Sequence, residues 1–369
     1  MTRAAKAARD RLSDRVAIGM LIEAFPPAEV DAAIDAAGVR EQRSRSLPAR
    51  TMVYFTLALW LFGGAGYDAV LARLTAGMRW AGVPLGKRSA PSTGSITKAR
   101  KRLGPEVMRR LLQGRALADR AADERSGRAA DERWRGLRVC TLDGGAVSVA
   151  DTPANLAAFG GPDVWLSVLA SPGRGVLVDV GVGTAPDDPG RSVLDALTPG
   201  TLVVSHRPGR AQDLWHTAAE VGADLLWCPR PSVALPRLQP LPDGTFLSRL
   251  VPDHDPLASS VAVRVLEVPD AVLVTTLLDP EQAPVAELAA LHRGRWRFEA
   301  LFDTLETGPV TLRSQDPDGV TQELWAMLCV YQAARPWRKE AASQVSASED
   351  SPSTAQNPTP RRSTMVDLA

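Results

Sequence analysis

An arginine and a glutamate, Arg295 and Glu299, stand four residues apart in the stretch Leu-His-Arg-Gly-Arg-Trp-Arg-Phe-Glu-Ala-Leu-Phe-Asp-Thr-Leu-Glu-Thr, residues 291–307. Apolar residues recur in this stretch every three or four positions, which predicts one amphipathic helix. Arg295 and Glu299 would then lie on one face of that helix. A surface ion pair is one interpretation of the two side chains, and a catalytic acid with a neighbouring cation is the other.

A second acidic residue, Asp143, follows the apolar stretch Leu137–Leu142 and precedes Gly144. We expect a strand that ends at Asp143, with Val147–Ala150 as its hairpin partner. Aspartate before glycine is common in turns, so a turn residue is one interpretation. A catalytic acid at the end of a strand is the alternative.

Several phrases of the sequence resemble those of the DDE transposases of bacterial insertion sequences, in the group typed by insertion sequence four. They include Leu-Asp-Gly at 142–144, Asp-Thr-x-x-Asn at 151–155, Arg-Trp-x-x-Glu at 295–299 and Leu-Arg-Ser at 312–314. The group carries Tyr-x-x-Arg-x-x-x-Glu-x-x-x-x-x-x-Lys on its third catalytic element. At those four positions this chain has His292, Arg295, Glu299 and Glu306. The resemblance extends over about residues 15–337.

The resemblance implies an RNase H-like catalytic domain in which three carboxylates hold two Mg²⁺ (or Mn²⁺) ions for DNA cleavage and strand transfer. Asp143 and Glu299 would be the first and third of these acids and the metal ligands. His206 stands at the position of the second acid, and Arg207 matches the family's next residue. Arg295 would contact a DNA phosphate, and Arg207 is predicted to contact DNA as well. Because a neutral imidazole replaces one carboxylate, this copy is expected to cleave DNA poorly or not at all.

A basic segment near residue 100 points to nucleic acid. Residues 1–138 carry a net charge of +12 and the remainder −11, on a chain whose net charge is +1. The segment 91–104 predicts a short helix capped by Thr93 or Ser95, as in a helix-turn-helix recognition element. Its four predicted DNA contacts are Lys98, Arg100, Lys101 and Arg102. A solvated basic face is the alternative, and the resemblance, which covers this phrase as well, favours DNA.

The fold class predicted is α/β, with an all-helical N-terminal domain before the catalytic domain. We predict a disordered start at 1–12, a helical DNA-binding domain at 13–125 and a linker at 126–136. The transposase domain follows at 137–337, with a β-rich insertion at about 229–285, and residues 338–369 form a disordered tail. These six ranges are expectations from composition, periodicity and the resemblance.

The remaining bulk features exclude several classes of protein. Three widely spaced cysteines form no C-x-x-C pair, which argues against a zinc module and fits a reducing cytoplasm. The longest apolar run, Met52–Phe62, is too short to cross a bilayer. The expected partner is duplex DNA, both transposon ends and target, and the DNA complex could contain a homodimer. Two functions stay open: a transposase, and a non-catalytic DNA-binding remnant of one.

Overall fold

The computed structural model describes residues 11–43, 47–83, 91–127, 132–185, 193, 197–206, 215, 218, 220–229, 233–250, 260–269, 271–305 and 310–349, with side chains described to 337. Arg207 and Glu306 lie outside these residues. No helix in the described part of the chain is long and apolar enough to cross a membrane. The predicted mixed α/β class is confirmed by a helical N-terminal region followed by a large mixed sheet.

Six helices form the N-terminal region. They are α1 Leu12–Ala24, α2 Pro27–Ala36, α3 Ala49–Leu61, α4 Tyr67–Trp80, α5 Thr93–Leu103 and α6 Glu106–Arg125. The basic helix α5 is capped by Ser92, whose hydroxyl accepts a hydrogen bond from the Ser95 N–H, so the prediction of a Thr93 or Ser95 cap was wrong. Ser92 precedes the first helical residue and has extended backbone, which is the geometry an N-cap requires. Gly104, at φ +67°, ends the helix.

Eleven described strands form one sheet. They are β1 Arg133–Trp134, β2 Leu137–Val149, β3 Asp163–Ala170, β4 Leu177–Gly183, β5 Thr201–Ser205, β6 Asp224–Trp227, β7 Gln239–Pro240, β8 Phe246–Leu250, β9 Val261–Val268, β10 Ala271–Thr275 and β11 Thr311–Leu312. The order along the sheet is β4-β3-β2-β5-β6-β10-β9-β8-β7, with β1 and β11 also paired to β2. Strands β2, β3 and β4 are antiparallel, whereas β5 and β6 run parallel to β2. The segment predicted as a β-rich insertion supplies β7 to β10, which extend the sheet beyond β6.

The central strand β2 does not turn at Asp143. It runs unbroken from Leu137 to Val149, so the predicted hairpin with Val147–Ala150 was wrong. The physical reason is that the two glycines after Asp143 do not form a turn. Their lack of a side chain lets neighbouring parts of the chain approach the strand closely. A Cβ on Gly144 would lie 2.0 Å from the Leu166 carbonyl oxygen, and one on Gly145 would lie 2.2 Å from the Phe298 ring. Glycine at both positions therefore lets β3 and the later chain pack directly against β2.

Three helices follow the sheet strands at the C-terminal side: α8 Val285–Arg293, α9 Ala300–Leu305 and α10 Pro317–Glu349, while α7 Pro153–Phe159 lies between β2 and β3. Helix α10 continues to Glu349, so the predicted disordered tail does not begin at 338. The apolar residues of its first half are buried: Leu324, Ala326, Met327, Leu328, Cys329 and Val330. That anchored half nucleates a helix that the polar residues beyond it can prolong.

One hydrophobic core joins the N-terminal helices to the sheet through α10. Residues of α1 to α6, the β2-β3-β4 face and α10 belong to a single buried cluster. The Trp60 indole N–H donates to the Glu323 carbonyl at 2.9 Å, and the Cys329 thiol lies 3.5 Å from the Met108 carbonyl oxygen. A fragment containing only the N-terminal helices would therefore expose apolar surface that α10 covers in the whole chain.

Candidate active site

The site predicted from the sequence lies where β5 ends beside the middle of β2. Strand β5 pairs with β2 in a parallel register that places Leu142 opposite Ser205. The residues that follow these two, Asp143 and His206, therefore lie close to each other. Burial and the positive charge of Arg295 lower the pKa of His206, and the Asp143 carboxylate opposes that shift. The predicted first and second positions are thus brought together.

Both carboxylate oxygens of Asp143 accept backbone hydrogen bonds. Oδ1 accepts from its neighbour Gly144 at 2.8 Å, and Oδ2 accepts from the Phe298 N–H at 3.0 Å. Phe298 precedes Glu299 in the chain, so this bond ties the backbone next to the third predicted acid to Asp143. The Asp143 side chain fixes the backbone of the segment that carries Arg295 and Glu299.

That segment is not the continuous helix that the periodicity predicts. Helix α8 ends at Arg293 with Gly294 as its cap, and α9 starts only at Ala300. The reason lies in two aromatic residues two positions apart, which a helix would place on opposite faces. Trp296 is buried and its indole N–H donates to the Tyr331 hydroxyl at 2.9 Å, whereas Phe298 is buried over Gly145. Non-helical backbone at 295–297, followed by a turn at 298–299, lets both side chains reach the core.

Arg295 consequently lies on a loop rather than on a helix face. Its Nη1 donates to the His292 carbonyl at 2.6 Å, and its Nε is buried without a hydrogen-bond partner among the described residues. Its charge interacts with the carboxylates of Asp143 and Glu299, although burial outweighs them and lowers the pKa of the guanidinium. Glu299 is exposed. The guanidinium lies partly buried in the cleft, where its charge interacts with the carboxylates of Asp143 and Glu299.

His292 is a site residue that the sequence reasoning left out of its predicted set. Its Nε2 lies 3.4 Å from Nδ1 of His206, and the two rings are 5.4 Å apart at 46°. Burial, and then the charge of Arg295, lower the pKa of His292 to about 4. The signal that could have identified His292 is its position, because it stands where the resembling family carries tyrosine. We call Asp143, His206, His292, Arg295 and Glu299 the cleft residues.

The donors of the cleft do not fit a pair of Mg²⁺ ions. Mg²⁺ prefers oxygen ligands, and the position of the second acid supplies an imidazole nitrogen. Across the part of the chain that the structure describes, no group of three or more His, Cys, Asp or Glu residues is placed to hold a metal. Asp143 and Glu299 as metal ligands therefore stay a prediction.

The four predicted DNA contacts on α5 divide into exposed and buried residues. Lys98, Lys101 and Arg102 are exposed, with Lys101 3.2 Å from Asp316 and Arg102 donating to the Leu47 carbonyl at 3.0 Å. Arg100 is only 6% exposed. The prediction that Arg100 contacts DNA is therefore wrong, because its side chain points into the protein.

Arg100 is the centre of a buried polar group that we call the Arg100 cluster: Tyr67, Arg100, Ser314, Gln322 and Glu323. The guanidinium donates to the Tyr67 hydroxyl at 2.7 Å, to Gln322 at 3.0 Å, and to Glu323 and Ser314 at 3.3 Å each. Glu323 also accepts from the Arg313 N–H at 2.8 Å. The cluster joins the basic phrase of α5, the Leu-Arg-Ser phrase and the start of α10.

The Asp-Thr-x-x-Asn phrase also has a structural role. The Thr152 hydroxyl caps α7 by accepting from the Asn155 N–H at 3.2 Å. The Asn155 side-chain amide donates to the carbonyls of Ala150 and Ser314 at 3.0 Å each. This asparagine links the end of β2 to the Arg100 cluster.

Two comparisons with known proteins agree with this picture. Residues 15–113 match the family described as insertion element 4 transposase N-terminal. The chain is also 24% identical over 325 residues to "Transposase InsG for insertion sequence element IS4" of Escherichia coli (strain K12), covering 79% of this chain and 70% of the relative. The N-terminal match and the similarity along most of the chain support a transposase of the insertion sequence 4 type.

Proposed function

We propose that this chain is a DDE-type transposase protein that binds duplex DNA at transposon ends, and that its metal-dependent cleavage is strongly impaired. The observation that carries the proposal is the register of β2 and β5, which puts His206 beside Asp143. In an RNase H-like domain the first acid lies on the first strand and the second follows the fourth. The order β4-β3-β2-β5-β6, with β2 parallel to β5 and β6, supports that fold.

The proposed roles follow from position and charge. Asp143 and Glu299 stand as the first and third acids of the resembling family, and the imidazole of His206 at the second position is the reason that metal-dependent cleavage is impaired. Arg295 is a partly buried cation in the cleft, and a guanidinium suits a DNA phosphate. The exposed Lys98, Lys101 and Arg102, on a front half of net charge +12, supply phosphate contacts for duplex binding.

A second candidate function is a DNA-binding protein without cleavage activity. The loss of one carboxylate at His206 favours it, because the cleft then lacks an anionic oxygen ligand for the metals and their transition state. The two candidates differ in one measurable respect. A weakened enzyme still cleaves once the acid is restored, whereas a cleft decayed elsewhere does not.

The test is nicking of a duplex carrying the inverted repeats that flank the gene, with the full-length chain in Mg²⁺ or Mn²⁺. We expect little cleavage by the unaltered chain and at least about tenfold more by His206→Asp, since one lost catalytic interaction typically costs 10²–10³ in rate. Adding Glu306→Lys, which restores the family's lysine, should increase cleavage further. His206→Asn is the matched control, because it changes size similarly without adding charge.

Robust cleavage by the unaltered chain that is abolished by His206→Ala would show that His206 is a working ligand and would overturn the claim of impairment. No cleavage by His206→Asp, together with end-specific DNA binding, would favour the non-catalytic function. Absence of DNA binding at low salt would overturn both.

A further inference from the structure

We propose that His206 and His292 form a binding site for a single transition-metal ion such as Zn²⁺ or Co²⁺, in place of the Mg²⁺ site that the cleft does not fit. The inference depends on the proposed function only for the location of the cleft. It concerns transition-metal ions, whereas the three-carboxylate sites of the resembling family bind Mg²⁺ or Mn²⁺.

The spacing of the two imidazoles carries the argument. His206 Nδ1 and His292 Nε2 are 3.4 Å apart. Protein N–H hydrogen bonds have donor–acceptor distances of about 2.7–3.2 Å, so 3.4 Å is long for a direct bond between the rings. Two nitrogens bound at about 2.0–2.1 Å to one tetrahedral ion lie about 3.3–3.4 Å apart, which matches this pair. A ring rotation that turns both lone pairs to a common point would complete the geometry.

The ligand type sets the class of ion. Imidazole nitrogen suits Zn²⁺, Co²⁺, Ni²⁺ and Cu²⁺ and is a poor ligand for Mg²⁺. Two of the positions at which this chain departs from the resembling family, tyrosine to His292 and aspartate to His206, contact each other. If the chain had only lost its second acid, a histidine at the tyrosine position would have no role beside it. Because His292 lies next to His206, the two substitutions together supply a pair of nitrogen donors.

The neighbouring groups define the remaining coordination positions. Asp143 interacts electrostatically with His206 and is partly exposed, so a side-chain movement could bring an oxygen to the ion. His206 is exposed, which leaves room for water or a substrate oxygen as a fourth ligand. Arg295 opposes a cation here, and the carboxylates of Asp143 and Glu299, with which it interacts, offset its charge. A three-ligand group is not preformed in the described residues, so binding must recruit Asp143 or solvent.

The test is Co²⁺ binding to the full-length, chelator-treated chain without DNA, followed by visible absorption, with Zn²⁺ competition by calorimetry. We expect one bound ion per chain, displaced by Zn²⁺ and not by excess Mg²⁺. His206→Ala and His292→Ala should each weaken binding at least about tenfold, in keeping with the 10–100-fold losses seen when metal-site residues change. His254→Ala serves as the control for coordination by any histidine, and circular dichroism checks that each variant is folded.

Three outcomes would overturn the inference: no Co²⁺ or Zn²⁺ bound at one equivalent, binding unchanged in both site variants, or equal loss with His254→Ala. If the alanine variants unfold, His206→Gln and His292→Gln replace them, because glutamine retains size and polarity without the imidazole nitrogen. DNA takes no part in the measurement. Failure here therefore leaves the nicking and DNA-binding tests of the proposed function unaffected, and their failure leaves this one unaffected.

Discussion

The Arg100 cluster and the cleft each place an arginine from a family phrase beside carboxylates. The two arginines differ in their hydrogen-bond partners and in the exposure of the neighbouring glutamate. Arg100 has hydrogen-bond partners at Nε, Nη1 and Nη2, and its partner Glu323 is only 6% exposed. Arg295 has a buried Nε without a partner in the described part of the chain, and Glu299 beside it is exposed. Hydrogen bonds at all three nitrogens indicate a residue that holds the fold, and a cation in a cleft beside an exposed carboxylate indicates one that meets a ligand.

The largest contrast should appear when a glutamate is removed from each region. Glu323→Ala leaves Arg100 buried without its anion and removes the acceptor of the Arg313 N–H, so we expect a loss of about 3–5 kcal/mol in the free energy of unfolding. Glu299→Ala should change it by no more than about 0.5 kcal/mol, because that side chain is exposed. Urea unfolding of both variants measures the difference. Equal losses of unfolding free energy in the two variants would show that the Arg100 cluster and the cleft do not differ in their contribution to stability.

The second prediction concerns pH and belongs to the cleft alone. The pKa of His292 is lowered from 6.5 to about 4 by burial and by Arg295, so the folded chain resists a proton that the unfolded chain accepts. The stability that comes from keeping His292 neutral is therefore complete above about pH 6.5 and is lost progressively as the pH falls toward 4. His292→Gln should show a shallower loss of stability across that window, with no difference in slope above it.

Urea midpoints at several pH values between about 4 and 8 would measure this effect. A Glu323→Gln variant is the comparison from the Arg100 cluster, because that cluster contains no histidine. Identical pH profiles for the unaltered chain and His292→Gln would contradict the assigned burial of the imidazole.

The smallest effect separates two cations of the same helix. Lys98 is exposed on α5, so Lys98→Ala should weaken duplex binding a few-fold and reduce the salt slope of log affinity by about 0.9, the value of one phosphate contact. The unfolding free energy of this variant should be unchanged. Arg100→Ala should do the reverse, destabilising the chain without a matching change in salt slope at conditions where it stays folded. Fluorescence anisotropy with the full-length chain at several salt concentrations gives both values.

Local patterns in the sequence predicted most elements but not their long-range partners. The helical region that ends at Arg125 and the strand that begins at Leu137 follow from the sequence pattern and are observed at those bounds. Arg100 looked like a surface cation because its partners Gln322 and Glu323 lie 222 and 223 residues away. The register that unites Asp143 and His206 is likewise a tertiary pairing, which no local pattern shows.

The break before α9 was missed for a related reason. The spacing of apolar residues does not show which neighbour each one meets, so the stretch that contains Trp296 and Phe298 was predicted as one continuous helix. In the structure they pack against Tyr331 and Gly145, which lie on different elements. Gly294, the cap of α8, was the local signal that could have placed the break.

The shared core of the N-terminal helices and α10 sets an order of events during synthesis. Trp60 and Glu323 are 263 residues apart in sequence, so the helices made first must wait on the ribosome, with apolar surface uncovered, until α10 emerges. Closing so long a loop slows folding more than it weakens the folded state. A nascent chain interrupted before residue 317 would lack the buried partner of Arg100. Such a product would be a substrate for chaperones and proteases rather than a shorter DNA-binding protein.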